Sequence, residues 1–308
     1  MTSPLGRPLL IVNQQAGRRK VEAVVRRLEG ALAGHGMDYD VCTTGGPGHA
    51  SHLARERLEE SGRFLVAVGG DGTVHEVVNG MFVDGRTIVP QPVLGVVAAG
   101  SGCDFVRTFG LPTAPAEAAA RLVGAETRAL DVARIGYVDA HGSGRTRHFV
   151  NIAEAGLGGS TAARAGGLPR LLGPSRYFFA FWATLPSYHP GTMQIEVDGQ
   201  VAHEGRTVNV VVANGRFFGG GMHISPRSDP SDGMLELLVF TGRKTDSFTM
   251  LPKVYRGRHV PHPSILELRG RCIRLESDQP FSIEADGEIL GTTPATVEML
   301  PSSVWLKV

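Results

Sequence analysis

Residues 69–73, Gly69-Gly70-Asp71-Gly72-Thr73, combine three glycines with a carboxylate and a hydroxyl. They follow an apolar run at 63–68 and precede a segment that sets Val74, Val77 and Val78 on one helical face. Glycines at such a turn let backbone N–H groups approach a phosphate closely, with a helix dipole behind them. Asp71 is out of place in an anion site unless a cation or a proton-donating hydroxyl accompanies the anion, a combination that suggests nucleotide phosphate with Mg²⁺. The same residues also make an ordinary strand-to-helix turn. Two acidic turns stand farther along, Asp229-Pro230-Ser231-Asp232-Gly233 and Asp286-Gly287-Glu288, each beside a short apolar run; alone, Asp-Gly at such a place is hairpin chemistry.

The elements that must position these residues are βα units. Apolar strands at 8–13, 39–44, 63–68 and 92–97 are each followed by a loop and a helical pattern. Continuous apolar strands in this arrangement predict a doubly wound parallel sheet covered by helices on both faces. Ligands of such sheets bind beyond the strands' carboxyl ends. The loops at 13–17, 43–48, 69–73 and 100–104 all fall on that edge, and their convergence says more than any one of them. No GxGxxG opening and no GxxxxGK[ST] loop is present, which weighs against dinucleotide-fingerprint and P-loop readings.

Near residue 130 the texture changes to short alternating strands, among them Met193, Ile195 and Val197, then Val208, Val210 and Val212, predicting a mostly antiparallel β domain. The predicted division is 1–130, completed by 296–308, and 131–295. Residues 176–185 form the most apolar aromatic cluster, read as a helix covering a sheet or as a surface for acyl chains, with Arg164, Arg170 and Arg176 near anionic headgroups.

The formal charge of +1 argues against a nucleic-acid partner. Three separated cysteines without a CxxC pair indicate a reducing compartment and no zinc site. The N-terminus lacks signal-peptide regions, and no stretch approaches the roughly 20 apolar residues of a membrane span. These features predict a soluble, cytoplasmic protein.

Taken in order, the motifs resemble the soluble diacylglycerol kinase family of lipid kinases, which includes sphingosine and ceramide kinases. Residues 69–73 running on through Glu76 to Gly80 look like its nucleotide signature, and 13–17, 43–50 and 100–107 like its other loops. Asn151, Asn214-Gly215, Gly219-Gly220-Gly221, residues 226–233 and Asp286-Gly287-Glu288 then follow in family order. The glycine turn alone is shared with phosphofructokinases and NAD kinases; the ordered set is far more specific. The resemblance implies a phosphofructokinase/NAD kinase-like nucleotide domain, a C-terminal β-sandwich and an ATP cleft between them. It implies ATP- and Mg²⁺-dependent phosphorylation of a lipid hydroxyl, diacylglycerol first among the acceptors, with sphingosine, ceramide or phosphatidylglycerol as alternatives. Kinase action on a soluble acceptor such as NAD, and a nucleotide-binding regulator without catalysis, stand as competing readings.

Carried over by position, the nucleotide set is Asn13, Thr44, Gly69, Gly70, Asp71, Gly72, Thr73, Glu76, Gly100, Ser101, Cys103 and Asp104. Asp71 and Asp104 would serve Mg²⁺, Asp232 a structural Mg²⁺, with Asp131 near that acidic network. Asp286 would be the general base, with Glu288 beside it. The implied partner is lipid at the inner face of the membrane, met transiently and peripherally; a homodimer is also admitted. Ser101 stands where the family has threonine, and Cys103 where it has asparagine, whose amide a thiol does not replace. His75, in another usual asparagine position, is expected to face outward.

Overall fold

The computed structural model describes the chain except residues 1–2, 16–17, 101–102 and 169–174 and the side chains of residues 18, 19, 175 and 176. It divides into two compact units, Met1–Val132 with Pro301–Val308, and Ala133–Leu300.

The first unit runs β1 (Leu9–Val12), α1 (Arg18–Gly34), β2 (Asp40–Thr43), α2 (His49–Glu59), β3 (Phe64–Gly69), α3 (Asp71–Gly80), the small hairpin β4 (Phe82–Val83) and β5 (Arg86–Thr87), β6 (Val93–Ala98), α4 (Asp104–Phe109) and α5 (Pro115–Val123). The strands pair in parallel in the order β2-β1-β3-β6. A final stretch near the C-terminus adds a further parallel partner, Trp305 and Leu306 lying opposite Val93 and Leu94 of β6. Strand side chains alternate between faces. Leu10, Val12, Val66, Val68 and Val97 meet Val21, Leu28 and Leu32 of α1 and Ala118, Ala119 and Leu122 of α5. Helices α2 and α3 pack together, closely enough that a Cβ on Gly80 would lie 2.3 Å from the Ser51 carbonyl. Asp131 is fully buried and accepts the Ser302 N–H at 2.7 Å, which ties the returning C-terminal stretch to this unit.

The second unit contains most of β7 (Thr127–Val138), then β8 (Gly144–Phe149), β9 (Ile152–Gly156), α6 (Leu157–Gly166), α7 (Ser175–Thr184), β10 (Gly191–Val197), β11 (Gln200–Thr207), β12 (Asn209–Ala213), β13 (Leu235–Phe240), α8 (Ser247–Val254), β14 (Ile265–Gly270), β15 (Cys272–Ser277), β16 (Ser282–Ala285) and most of β17 (Glu288–Lys307). Its pairings are antiparallel: β16-β9-β12-β13-β14 form one set, and β11-β10-β15-β17 another. Ala153, Val210, Val212, Leu237 and Val239 point into a core shared with Met193, Ile195, Ile273 and Leu275 of the other set. The opposite face, with Ile152, Val211, Ala213 and Leu238, is covered by Met250 and Val254 of α8. Both faces are buried, as a sandwich with helical cover requires.

Strands β8 and β9 are separated at residues 150–151. The ladder with β7 ends at Phe149, because the N–H groups of Val150, Asn151 and Ile152 turn to a carboxylate from a distant hairpin. No helix among the described residues is long and apolar enough to cross a membrane.

Candidate active site

In the first unit the loops following β1, β2, β3 and β6 emerge on one edge, because the four strands are parallel. Two of them touch through glycine alone. A Cβ on Gly100 would lie 2.6 Å from the Gly70 Cα, and a Cβ on Gly69 2.2 Å from the Thr73 hydroxyl. The Ala99 and Gly100 N–H groups both donate to the Gly69 carbonyl, at 2.8 and 3.1 Å. Asn13 Nδ2 donates to the Thr73 hydroxyl at 3.1 Å while its Oδ1 accepts the Gln15 N–H. Thr44 is buried, its N–H bound to the Val12 carbonyl. Gly72 lies in the first turn of α3, whose N-terminal dipole favours an anion at this edge. The exposed Lys20 ammonium reaches the Gly100 carbonyl at 3.4 Å. This cation was visible in the sequence only as part of a basic cluster.

The acidic residues here have tasks the sequence does not display. Asp71 accepts the N–H groups of Asp104 and Phe105, both at 3.0 Å, so it brackets the start of α4. Asp104 is buried and paired with Arg107 at 2.7 Å. Glu76 accepts the N–H groups of Gly48 and Ala50 at 3.0 Å, which ties α3 to the second glycine loop and the start of α2. Both of its carboxylate oxygens are thus engaged in anchoring that loop. Cys103 sits in left-handed backbone at φ 54, its Sγ donating to the Gly100 carbonyl at 3.6 Å. Burial first, and Asp71 second, push this thiol up, so it stays protonated at neutral pH. Ser101 lies outside the described residues. The expectation for His75 is corrected: it is buried at 5% exposure and touches Asn79, because the inward face of α3 takes it with Val74 and Val78.

In the second unit Asp286 and Gly287 form the two-residue turn between β16 and β17, with φ of 49 and 89. Positive φ at both positions is what a tight hairpin demands, and Asp-Gly supplies it. The turn also turns its carboxylate back: Asp286 accepts the N–H groups of Val150, Asn151 and Ile152 at 3.0, 2.9 and 3.1 Å. Beside it the Asn151 Oδ1 is buried without a hydrogen-bond partner among the described residues. Glu288 is exposed. Asp232 is paired with Arg269, which also reaches Glu236 at 3.2 Å, and accepts the Met234 N–H.

The sequence reading missed a second acidic pair. Glu154 of β9 and Glu284 of β16 are cross-strand partners, both buried. Glu154 accepts from Asn209 Nδ2 at 3.0 Å and from the Tyr177 hydroxyl at 3.1 Å. Burial pushes Glu154 up to about 7 against those two hydrogen bonds. Burial, then the charge of Glu154, raise Glu284 well above the ordinary carboxylate range. Gly158 lies over Glu154, where a Cβ would meet its Oε2 at 2.1 Å. Glu154, Asn209 and Tyr177 form the polar end of an apolar pocket walled by Phe181, Val208, Phe218, Met222, Met250 and Val254. The one signal for Glu154 was its being the single charged residue in an apolar run.

Mg²⁺ coordinates through a few carboxylates and phosphate oxygens. Asp71, Asp104 and Asp232 direct their carboxylates to protein donors, and no group of three His, Cys, Asp or Glu among the described residues is gathered to hold a metal. These side chains do not form a ready metal cage.

Comparison with known proteins places both units. The diacylglycerol kinase catalytic domain matches residues 7–135, and the YegS C-terminal NAD kinase beta sandwich-like domain matches residues 151–308. The chain is 27% identical over 295 residues to a diacylglycerol kinase of Bacillus subtilis (strain 168), covering 94% of this chain and 91% of that one. It is 28% identical over 306 residues to a diacylglycerol kinase of Mycobacterium tuberculosis (strain ATCC 25618 / H37Rv), covering 97% and 94%. Among solved structures, a diacylglycerol kinase from Bacillus anthracis str. Sterne superposes with a TM-score of 0.70 at 25% identity, covering 98% and 96%. Yeast NADH kinase complexed with NADH shares the fold, with a TM-score of 0.52 at 14% identity over 97% of this chain and 82% of that one.

Proposed function

The chain belongs to the diacylglycerol kinase family of lipid kinases with a YegS-type C-terminal domain, and on that premise we propose that it transfers the γ-phosphoryl group of ATP to a lipid hydroxyl, diacylglycerol first, giving phosphatidic acid. The observation that carries the lipid acceptor is the apolar pocket of the second unit, which a kinase of a soluble, charged acceptor has no use for.

Phosphoryl transfer asks a protein for positioning and charge neutralisation more than for covalent chemistry. The backbone of residues 69–73 and 100–104, with Asn13, Thr44 and Thr73, would hold the donor phosphates, and Lys20 would add a positive charge. Mg²⁺ would arrive with the nucleotide phosphates and neutralise part of their charge. The acceptor oxygen attacks the γ-phosphorus, ADP leaves, and the hydroxyl proton passes to Asp286. Three N–H donors fix that carboxylate in one orientation. Glu288, in the same turn, adds negative charge near the proton. The working location proposed is the cytoplasmic face of the membrane.

The test is radiolabelled ATP with mixed micelles of diacylglycerol, sphingosine, ceramide and phosphatidylglycerol, and NAD as the soluble arm. Label in phosphatidic acid is expected. Label in NAD alone refutes the lipid reading, and ATP binding without turnover on any acceptor leaves a regulator. Asp286→Asn should lower kcat by on the order of 10²–10⁴; an unchanged kcat removes Asp286 from the chemistry.

A further inference from the structure

Helices α7 and α8 share one feature that lipid phosphorylation itself does not call for. Their outward sides carry exposed aromatic rings, Phe178 at 43%, Phe179 at 51%, Phe248 at 61% and, just past α8, Tyr255 at 44%. Rings in water are unfavourable by the area they leave unburied. Here they form a contiguous group: Phe178 packs edge-on to Phe179 and Trp182, and Trp182 packs at a tilt against Phe248 with ring centres 4.7 Å apart, joining the two helices. Both helices also wall the apolar pocket, through Tyr177, Phe178 and Phe181 on one side and Met250, Leu251 and Val254 on the other. The patch therefore runs into the pocket's rim.

Charge on these segments is one-sided. The whole chain carries 31 Lys and Arg against 30 Asp and Glu. Residues 155–192 hold Arg164, Arg170 and Arg176 and no acid; residues 241–263 hold Arg243, Lys244, Lys253, Arg256 and Arg258 against Asp246 alone. Asp246 caps its own turn by accepting the Arg243 N–H at 2.9 Å. Arg243, Lys253, Arg256 and Arg258 are exposed and form no ion pair among the described residues. Along α8 and its end, Phe248, Pro252 and Arg256 recur at helical spacing, with Thr249 and Lys253 beside them, and all are exposed. Exposed rings interspersed with unpaired cations are the chemistry of a surface that enters the headgroup layer of a negatively charged membrane.

We propose that the outward face of α7 and α8 docks on an anionic phospholipid bilayer and sets the mouth of the apolar pocket against its acyl layer. The proposal rests on the lipid-acceptor reading for its purpose, though not for its measurement. Rings enter the interface beside the acyl chains, Lys253, Arg256 and Arg258 meet phosphate groups, and a lipid passes into the pocket without crossing water.

The test is sedimentation with sucrose-loaded vesicles of phosphatidylcholine alone and of phosphatidylcholine with 30 mol% phosphatidylglycerol. Partition should rise at least about tenfold with the anionic lipid and fall back at 0.5 M salt. Lys253→Glu/Arg256→Glu, and separately Phe179→Ser/Phe248→Ser, should each reduce it at least about tenfold. Arg26→Glu/Arg27→Glu on α1 should not. Thermal unfolding and kcat toward dioctanoylglycerol below its critical micelle concentration should match the parent in every variant. Equal partition onto neutral and anionic vesicles, or retained binding in both α7/α8 variants, overturns the proposal. So does a stable dimer that Phe179→Ser/Phe248→Ser dissociates, which would assign the patch to a second copy of the chain. Charge-dependent vesicle binding with no phosphorylated lipid would sink the kinase reading and leave the docking face standing; turnover of soluble lipid without vesicle binding would do the reverse.

Discussion

Replacing Glu154 with glutamine should make the second unit more stable at alkaline pH and leave it unchanged at acid pH. Glu154 and Glu284 face each other across adjacent strands with no cation beside either among the described residues, so at least one proton is retained where ordinary carboxylates have none. Burial moves Glu154 from 4.5 to about 7. Below 4.5 the folded and unfolded chains both hold this proton, and the group contributes nothing. Between the two values the unfolded chain releases it and the folded chain does not, so stability falls as pH rises. Above about 7 the loss is complete, at about 3 kcal/mol. Glutamine can accept from Asn209 and donate to the Tyr177 oxygen, so the packing survives while the charge does not. The assay is urea unfolding at pH 4.5, 6, 7 and 8, followed by Trp182 fluorescence in a Trp305→Phe background so that only the second unit is read. The variant should match its parent at pH 4.5 and exceed it by about 3 kcal/mol at pH 8. Parallel stability curves, or a variant weaker at pH 8, would show that Glu154 is ionised in the fold and that a counter-charge has been overlooked. Glu284→Gln should act in the same direction, and the two should not add, since repulsion from one is part of the shift of the other.

Gly100→Ala should raise the KM for ATP at least about tenfold and cost about 1–3 kcal/mol, because its Cβ would lie 2.6 Å from backbone that cannot yield without parting two loops. Gly46→Ala, with nothing within 4 Å of its Cβ, is the control, and equal effects at the two positions refute the reasoning. Cys103→Asn should stabilise the fold by about 1 kcal/mol and so raise the melting temperature, since asparagine tolerates the left-handed backbone better. Its KM for ATP, measured separately, should fall if the amide reaches nucleotide; an unchanged melting temperature would argue against strain at φ 54. Asp71→Asn should raise the KM for ATP with no rescue by excess Mg²⁺, because its amide oxygen keeps one of the Asp104 and Phe105 N–H groups while its NH₂ faces the other; rescue by Mg²⁺ would restore the metal-ligand reading.

What the sequence made legible follows from what is local. Continuous apolar strands leading into glycine-bearing loops, as at Phe64–Gly69 and Val93–Ala98, carry their own signal, and the parallel sheet and loop edge follow from it. Asp-Gly at 286–287 likewise announced its hairpin. The partners of the acids are not local. Asp71 bonds to residues 33 and 34 positions away, Glu76 to residues 28 and 26 away, and Asp286 to residues more than 130 away. No window of sequence contains both ends of such a bond. The pairing of Glu154 with Glu284 depends on strand register, and the packing of α3 turns His75 inward, against the expectation that it faces outward.

Those long-range bonds also account for a carboxylate standing in a site built for anions. A phosphate cradle made of backbone N–H groups is only as good as the loops that carry it, and where Gly70 meets Gly100 there is no side chain to hold the two loops together. At Gly70 and Gly100 the approach is so close that no Cβ could enter to help. Something outside the contact must fix the loops, and it must grip backbone, since backbone is what they offer. Asp71 grips the start of α4 and Glu76 the start of α2, each by paired N–H bonds to the helix that follows a neighbouring loop. A carboxylate suits this task better than an amide because it accepts at both oxygens and opposes the positive end of the helix it holds. Engaged in this way, its negative charge is partly neutralised by the peptide dipoles before a phosphate arrives. The acid that looked like a metal ligand in the sequence is thereby compatible with an anion site through its backbone partners, and the Asp71→Asn and Gly100→Ala variants probe two halves of one arrangement.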